Sequence, residues 1–140
     1  MSELREHQAM IEQLAGCSAV IESAADLLIS TLRQGGKILL CGNGGSAADC
    51  QHIAAELVVR YKKSRAGLAA IALTTDSSIL TAHANDCEFA TVFARQVEAI
   101  GNAKDCLIAI STSGHSENII NAALAAKAKG MNVIALTGND

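Results

Sequence analysis

His52 and Glu56 stand four residues apart, so a helix through this segment sets both on one face. An imidazole and a carboxylate so placed could share a metal ion or move a substrate proton. The same spacing also makes an ordinary surface pair. Just upstream, Asn43-Gly44-Gly45-Ser46 combines small residues with a hydroxyl where a helix is expected to start. Exposed backbone N–H groups there could cradle an anion, or the segment could be a plain turn with Ser46 as helix cap. A second loop, Ser111-Thr112-Ser113-Gly114-His115-Ser116, places four hydroxyls within six residues. That exceeds what capping one helix needs. Hydroxyls and amides together suit a phosphate monoester without a lysine.

These loops must be held by regular elements. Lys37 to Cys41 is an apolar run that stops at the Gly-rich loop, and a helix is expected from Ser46 to Tyr61. Cys106 to Ile110 repeats the design, with a helix from Glu117 to Lys129 after the hydroxyl loop. Leu68 to Leu73 and Asn132 to Leu136 read as two more strands, and Ser77 to Ala84 and Glu88 to Ile100 as helices. Ahead of them, Ser2 to Leu14 reads as a polar helix. Ser18 to Arg33 is a more apolar one, closed by Gly35-Gly36. The second helix is more apolar than a lone surface helix needs and is expected to meet another subunit. The strand segments are continuous apolar runs, the pattern of strands covered on both faces. The strand–helix order predicts an α/β fold: a doubly wound three-layer sandwich with a parallel sheet flanked by helices. Ligands in such sheets bind beyond the carboxyl ends of the strands, where both loops fall.

Composition narrows the function. The 140 residues fit a single domain, with helices over about 1–34 and an α/β core over 35–140. Half the residues are hydrophobic, only Tyr61, Phe89 and Phe93 are aromatic, and no proline occurs. A formal charge of −3 and the absence of a basic cluster argue against nucleic-acid binding. The short run Lys62, Lys63, Arg65 reads as a solvated loop. Five cysteines without Cys-x-x-Cys spacing read as reduced thiols of a cytoplasmic protein. No apolar run approaches the length of a membrane span. The Gly-rich loop lacks the Gly-Lys-Ser/Thr of a nucleotide-binding loop and the Gly-x-Gly-x-x-Gly of a dinucleotide fold. Asn85-Asp86 reads as a turn, and no role falls to His7, His83 or His115.

Several segments in order resemble one family. They are Cys41 to Asp49 with Gln51 to Leu57 and Arg60-Tyr61; Ala70 to Asp76; Asn85-Asp86; Phe93-x-Arg95-Gln96-Val97-Glu98-Ala99; and Ile110-Ser111-Thr112-Ser113-Gly114-x-Ser116. They resemble the sugar-isomerase (SIS) domain of phosphoheptose isomerases. The resemblance implies isomerisation of sedoheptulose 7-phosphate to D-glycero-D-manno-heptose 7-phosphate, on the way to ADP-heptose and the lipopolysaccharide core. It implies a cytoplasmic homotetramer with zinc and sites at subunit contacts. Glu56 becomes the base; His52 and Glu56 become zinc ligands. Asn43, Gly44, Gly45, Ser46, Asn85, Asp86, Ser111, Thr112, Ser113 and Ser116 become substrate contacts. The family draws a Gln and a His from a later helix, beyond Asp140 here. The 140-residue chain is therefore expected to be a fragment with weak zinc binding and little activity. A non-catalytic SIS scaffold that binds a replication initiator, or a regulator, is the alternative. Such relatives lack the carboxylate that Glu56 supplies.

Overall fold

A computed structural model describes residues 2–138. Four strands form one parallel sheet: β1 (Ile38–Gly42), β2 (Ala70–Ala72), β3 (Cys106–Ser111) and β4 (Asn132–Thr137), in the order β2-β1-β3-β4. Helices α1 (Ser2–Ala15) and α2 (Ser18–Arg33) precede the sheet. Between strands run α3 (Gly45–Val58), α4 (Ser77–Asp86), α5 (Val92–Ile100) and α6 (Glu117–Ala128).

Alternate residues of β1 enter opposite layers, as strand geometry requires. Leu39 and Cys41 pack with α5 and α6 through Val92, Phe93, Val97, Ile119, Ala122 and Ala126. Ile38 and Leu40 pack with Cys50 and Ala54 of α3, with Leu28 and Leu32 of α2 against them. These two cores make the parallel sheet flanked by helices that the apolar runs predict. All of β1 is buried. The apolar composition of β4 predicts the same, yet this strand is half-buried or exposed along its length, because it lies at an edge of this sheet.

Boundaries also shift. β2 keeps only three residues of the expected Leu68–Leu73 strand. The expected 88–100 helix opens as a 3-10 turn, Phe89–Thr91, before α5 begins. The expected α2 stop is present: Gly35 N–H donates to Leu32 O and Gly36 N–H to Thr31 O. Beyond this, α1 buries no residue and α2 buries only Thr31. Leu4, Met10, Ile11, Leu14, Val20 and Ile21 lie exposed along the pair. Among the described residues no single helix is long and apolar enough to cross a membrane.

Candidate functional site

β1 and β3 are neighbours, with Gly42 opposite Ile110, yet the helices that follow them cover opposite faces. A crevice opens beyond strand ends arranged in this way. Here it is a cleft of about 180 Å³ lined by Asn43, Ser46, Ile110, Ser111, Thr112, Ser113 and Ser116.

Two glycines shape its first wall. Gly44 is the residue before α3 and has φ of 54°, a conformation that L side chains rarely adopt. A Cβ at Gly42 would meet Ser46 O at 2.7 Å, so only glycine lets α3 start this close to β1. α3 begins at Gly45 with no side-chain cap. Ser46 is therefore not the cap that a plain turn would require, and it lines the cleft. The first N–H groups of any helix lack intrahelical partners, so this one presents donors to an anion.

The second wall is the hydroxyl loop. Ser116 precedes α6 as its N-cap residue, again without a side-chain cap bond. Its Oγ accepts instead from Ser111 Oγ at 3.1 Å. Ser111 is buried, whereas Thr112 and Ser113 are exposed at the rim. His115 has a structural part: its backbone N–H donates to Ser113 Oγ at 3.2 Å, and Nδ1 lies 2.6 Å from Ser113 O. A carbonyl only accepts, so Nδ1 carries the proton.

Two residues tie the walls together in a way that sequence alone does not reveal. Asn43 Nδ2 donates to Asn118 Oδ1 at 2.9 Å, and Asn118 Nδ2 donates to Asn43 Oδ1 at 2.8 Å. Asn118 is buried in the first turn of α6. A single polar residue near a helix start carries no signal that distinguishes it from a surface one.

His52 and Glu56 do pair, with Nε2 3.7 Å from Oε1. His52 is largely exposed, while Glu56 Oε2 is buried without a partner. That orphan oxygen fits a role as ligand or base. No third His, Cys, Asp or Glu joins them into a metal-binding group among the described residues. The helix that carries them does not deliver them to the cleft. Glu56 comes ten positions after Ser46, roughly 15 Å along the axis at the usual helical rise. Shared placement on one helix suggests proximity; α3 instead holds the Gly-rich loop and Glu56 at opposite ends.

The far end of α3 has its own clamp. Arg65 donates from Nη2 to Glu56 O at 2.8 Å, and from Nη1 to Leu57 O at 2.8 Å and Ala66 O at 2.9 Å. The loop that reads as merely solvated therefore caps the helix turn that bears Glu56. Asn85 and Asp86 end α4 rather than forming a free turn, with Asn85 Nδ2 donating to Asp86 Oδ1 at 2.7 Å, and neither lines the cleft.

Known proteins share this architecture. The SIS domain family model matches residues 4–138. The phosphoheptose isomerase of Aromatoleum aromaticum is 57% identical over 130 residues, 93% of this chain and 66% of that protein. That of Helicobacter pylori is 53% identical over 137 residues, 98% of this chain and 71% of that protein. The solved phosphoheptose isomerase of Neisseria gonorrhoeae aligns with a TM-score of 0.79 at 46% identity, covering 100% of this chain and 77% of its own. The one from Francisella tularensis aligns at 0.85 and 44% identity, covering 93% and 67%. The chain thus spans just under two thirds of the length of the first of these relatives. On the match of nearly every residue and the shared fold, the chain belongs to the SIS-domain family, among the phosphoheptose isomerases.

Proposed function

We propose that the chain is the phosphate-binding and base-bearing part of a phosphoheptose isomerase acting on sedoheptulose 7-phosphate. The product is D-glycero-D-manno-heptose 7-phosphate, a precursor for ADP-heptose and the lipopolysaccharide core. The observation that carries this reading is the cleft whose hydroxyls do not cap the helix that follows, facing the first turn of α3. Hydroxyls and N–H groups without a lysine suit the phosphate of the sugar.

The isomerisation moves one proton between adjacent carbons through an enediol. Glu56 would take the C–H proton from the aldehyde- or ketone-adjacent carbon and return it to its neighbour. A second group must move the hydroxyl proton, and donors must hold the charge that builds on oxygen. His52 and Glu56 would supply two zinc ligands, and a stable site would need further donors beyond these two. Zinc bound there would polarise the substrate carbonyl.

The roughly 15 Å between the cleft and Glu56 bears on assembly. The reading that joins them is a homo-oligomer, a tetramer in the family, in which Glu56 of one copy meets the cleft of another. The exposed apolar face of α1 and α2 supports such an assembly. The reading places the protein in the cytoplasm, in keeping with its five free cysteines. Retention of Glu56 weighs against the scaffold alternative.

Glu56→Gln keeps the side chain's size and removes its proton affinity. With the relatives' full length present, turnover in heavy water should fall by about two to four orders of magnitude while sugar-phosphate binding persists. Unchanged deuterium incorporation beside the carbonyl would remove Glu56 from the mechanism.

A further inference from the structure

The Asn43–Asn118 pair joins the two loops that the proposed phosphate site needs. Asn43 follows β1 and lines the cleft. Asn118 is 4% exposed and lies two residues past the hydroxyl that ends the second loop. Each amide gives one N–H and receives one, at 2.9 and 2.8 Å. A reciprocal pair of this kind fixes both planes at once, because rotating either amide breaks two bonds. Buried amides without partners are costly, so the pair holds tightly. Asn43's side chain is then largely occupied by Asn118, and its backbone carbonyl accepts from Ala47 N–H at 3.3 Å. What Asn43 offers the cleft is the position of the loop more than a free amide.

We propose that Asn118 is a positioning residue: through Asn43 it locks the Gly-rich loop against the hydroxyl loop, so that the two walls form one preorganised anion site. This rests on reading the cleft as the phosphate site. Preorganisation lowers the ordering cost of binding, so loosening the lock should weaken an anion that touches both walls. Asn118 itself does not line the cleft.

The experiment has two arms on the chain as it stands. In the first, without ligand, amide hydrogen exchange compares wild type with Asn118→Ala. Exchange at Ala47 and Ala48, whose N–H groups bond to the Gly-rich loop, should quicken several-fold. Exchange at Met131, at the other end of α6, should not change. In the second arm, inorganic sulfate is titrated while the amides of residues 111–116 are followed by NMR. Asn118→Ala should bind about fivefold more weakly, the scale of one lost neutral hydrogen bond. Asn43→Ala should match it, and the double variant should be no worse than the weaker single one, the mark of a shared lock.

Unchanged exchange at Ala47 and Ala48, or losses of affinity that simply add in the double variant, would overturn the proposal. If wild type fails to bind sulfate while Asn118→Ala quickens exchange, the lock stands and the phosphate reading fails. Should Asn118→Ala not fold, Asn118→Asp keeps the size and one of the two bonds. It should give exchange faster than wild type, and wild-type exchange in that variant would count against the lock.

Discussion

Glu56 shows how a residue's chemistry and its location can separate. Its type, and its spacing from His52, mark it in the sequence. The buried, unpartnered Oε2 agrees with that reading. Its distance from the cleft follows from the fixed rise of a helix only once folding has placed the cleft at the start of α3. The roles of Asn118 and Arg65 are not legible, because they depend on partners brought close only by folding. The cysteines extend the point. Burial pushes the Cys41 thiol up to about 12, with Cys50 adding to it. Burial, with Asp49 contributing, raises Cys50 to about 11, and burial alone raises Cys106 to about 11. Thiolates are the reactive form, so these three should resist iodoacetamide in the native protein. Cys17 and Cys87 are exposed and should be the ones labelled under native conditions. Mass spectrometry of the labelled peptides checks this, and native labelling of Cys41 at the rate of Cys87 would contradict it.

Among the elements, strands β1 and β3 are readable because an apolar run bounded by loop residues suits a strand buried on both faces. The exposure of β4 is not, since edge position is a property of strand order rather than of a segment. Likewise β2 stops short of Leu68, whose N–H donates to Leu57 O of α3 rather than joining the sheet. This bond and Arg65 together take up the Glu56 and Leu57 carbonyls at the end of α3, beyond the last helical bond to Ala55 O. A guanidinium at a helix C-terminus also meets the favourable end of the dipole. Arg65→Ala should therefore cost about 1 kcal/mol, discounted for the exposure of the side chain. Denaturant titration reads that cost, and hydrogen exchange should quicken at Val59, whose N–H bonds to Ala55 O. A variant as stable as wild type, with unchanged exchange at Val59, would show that the clamp does not hold this turn.

At the scale of the molecule, one buried charge ties the amino ends of the central strands. Asp105 is 2% exposed and accepts from Lys37 N–H at 2.9 Å, Lys37 Nζ at 2.5 Å and Asn102 N–H at 2.8 Å. Burial pushes its carboxyl up, but the bonds from Lys37 and Asn102 outweigh this and hold it below the ordinary carboxylate value. Folding thus favours the ionised form. That stability is fully present above the unfolded value of about 3.9 and is lost as pH falls through the lower, folded one. Asp105→Asn should lose about 2 kcal/mol at neutral pH, on the scale of hydrogen bonds to a charged group. Its stability should also fall less than that of wild type on acidification. Parallel acid unfolding curves for the two would contradict this.

In the proposed assembly, a cleft from one copy and Glu56 from another make the working site. Two variants at the relatives' full length decide it: one carries Ser111→Ala with Ser113→Ala, the other carries Glu56→Gln. Each alone should be nearly inactive. Mixed in equal amounts through unfolding and refolding, they should recover about one quarter of wild-type turnover, because a random pairing of two copies joins an intact cleft to an intact Glu56 one time in four. A mixture no more active than its parts would place both halves of the site in one copy, or show that the chain does not catalyse this reaction.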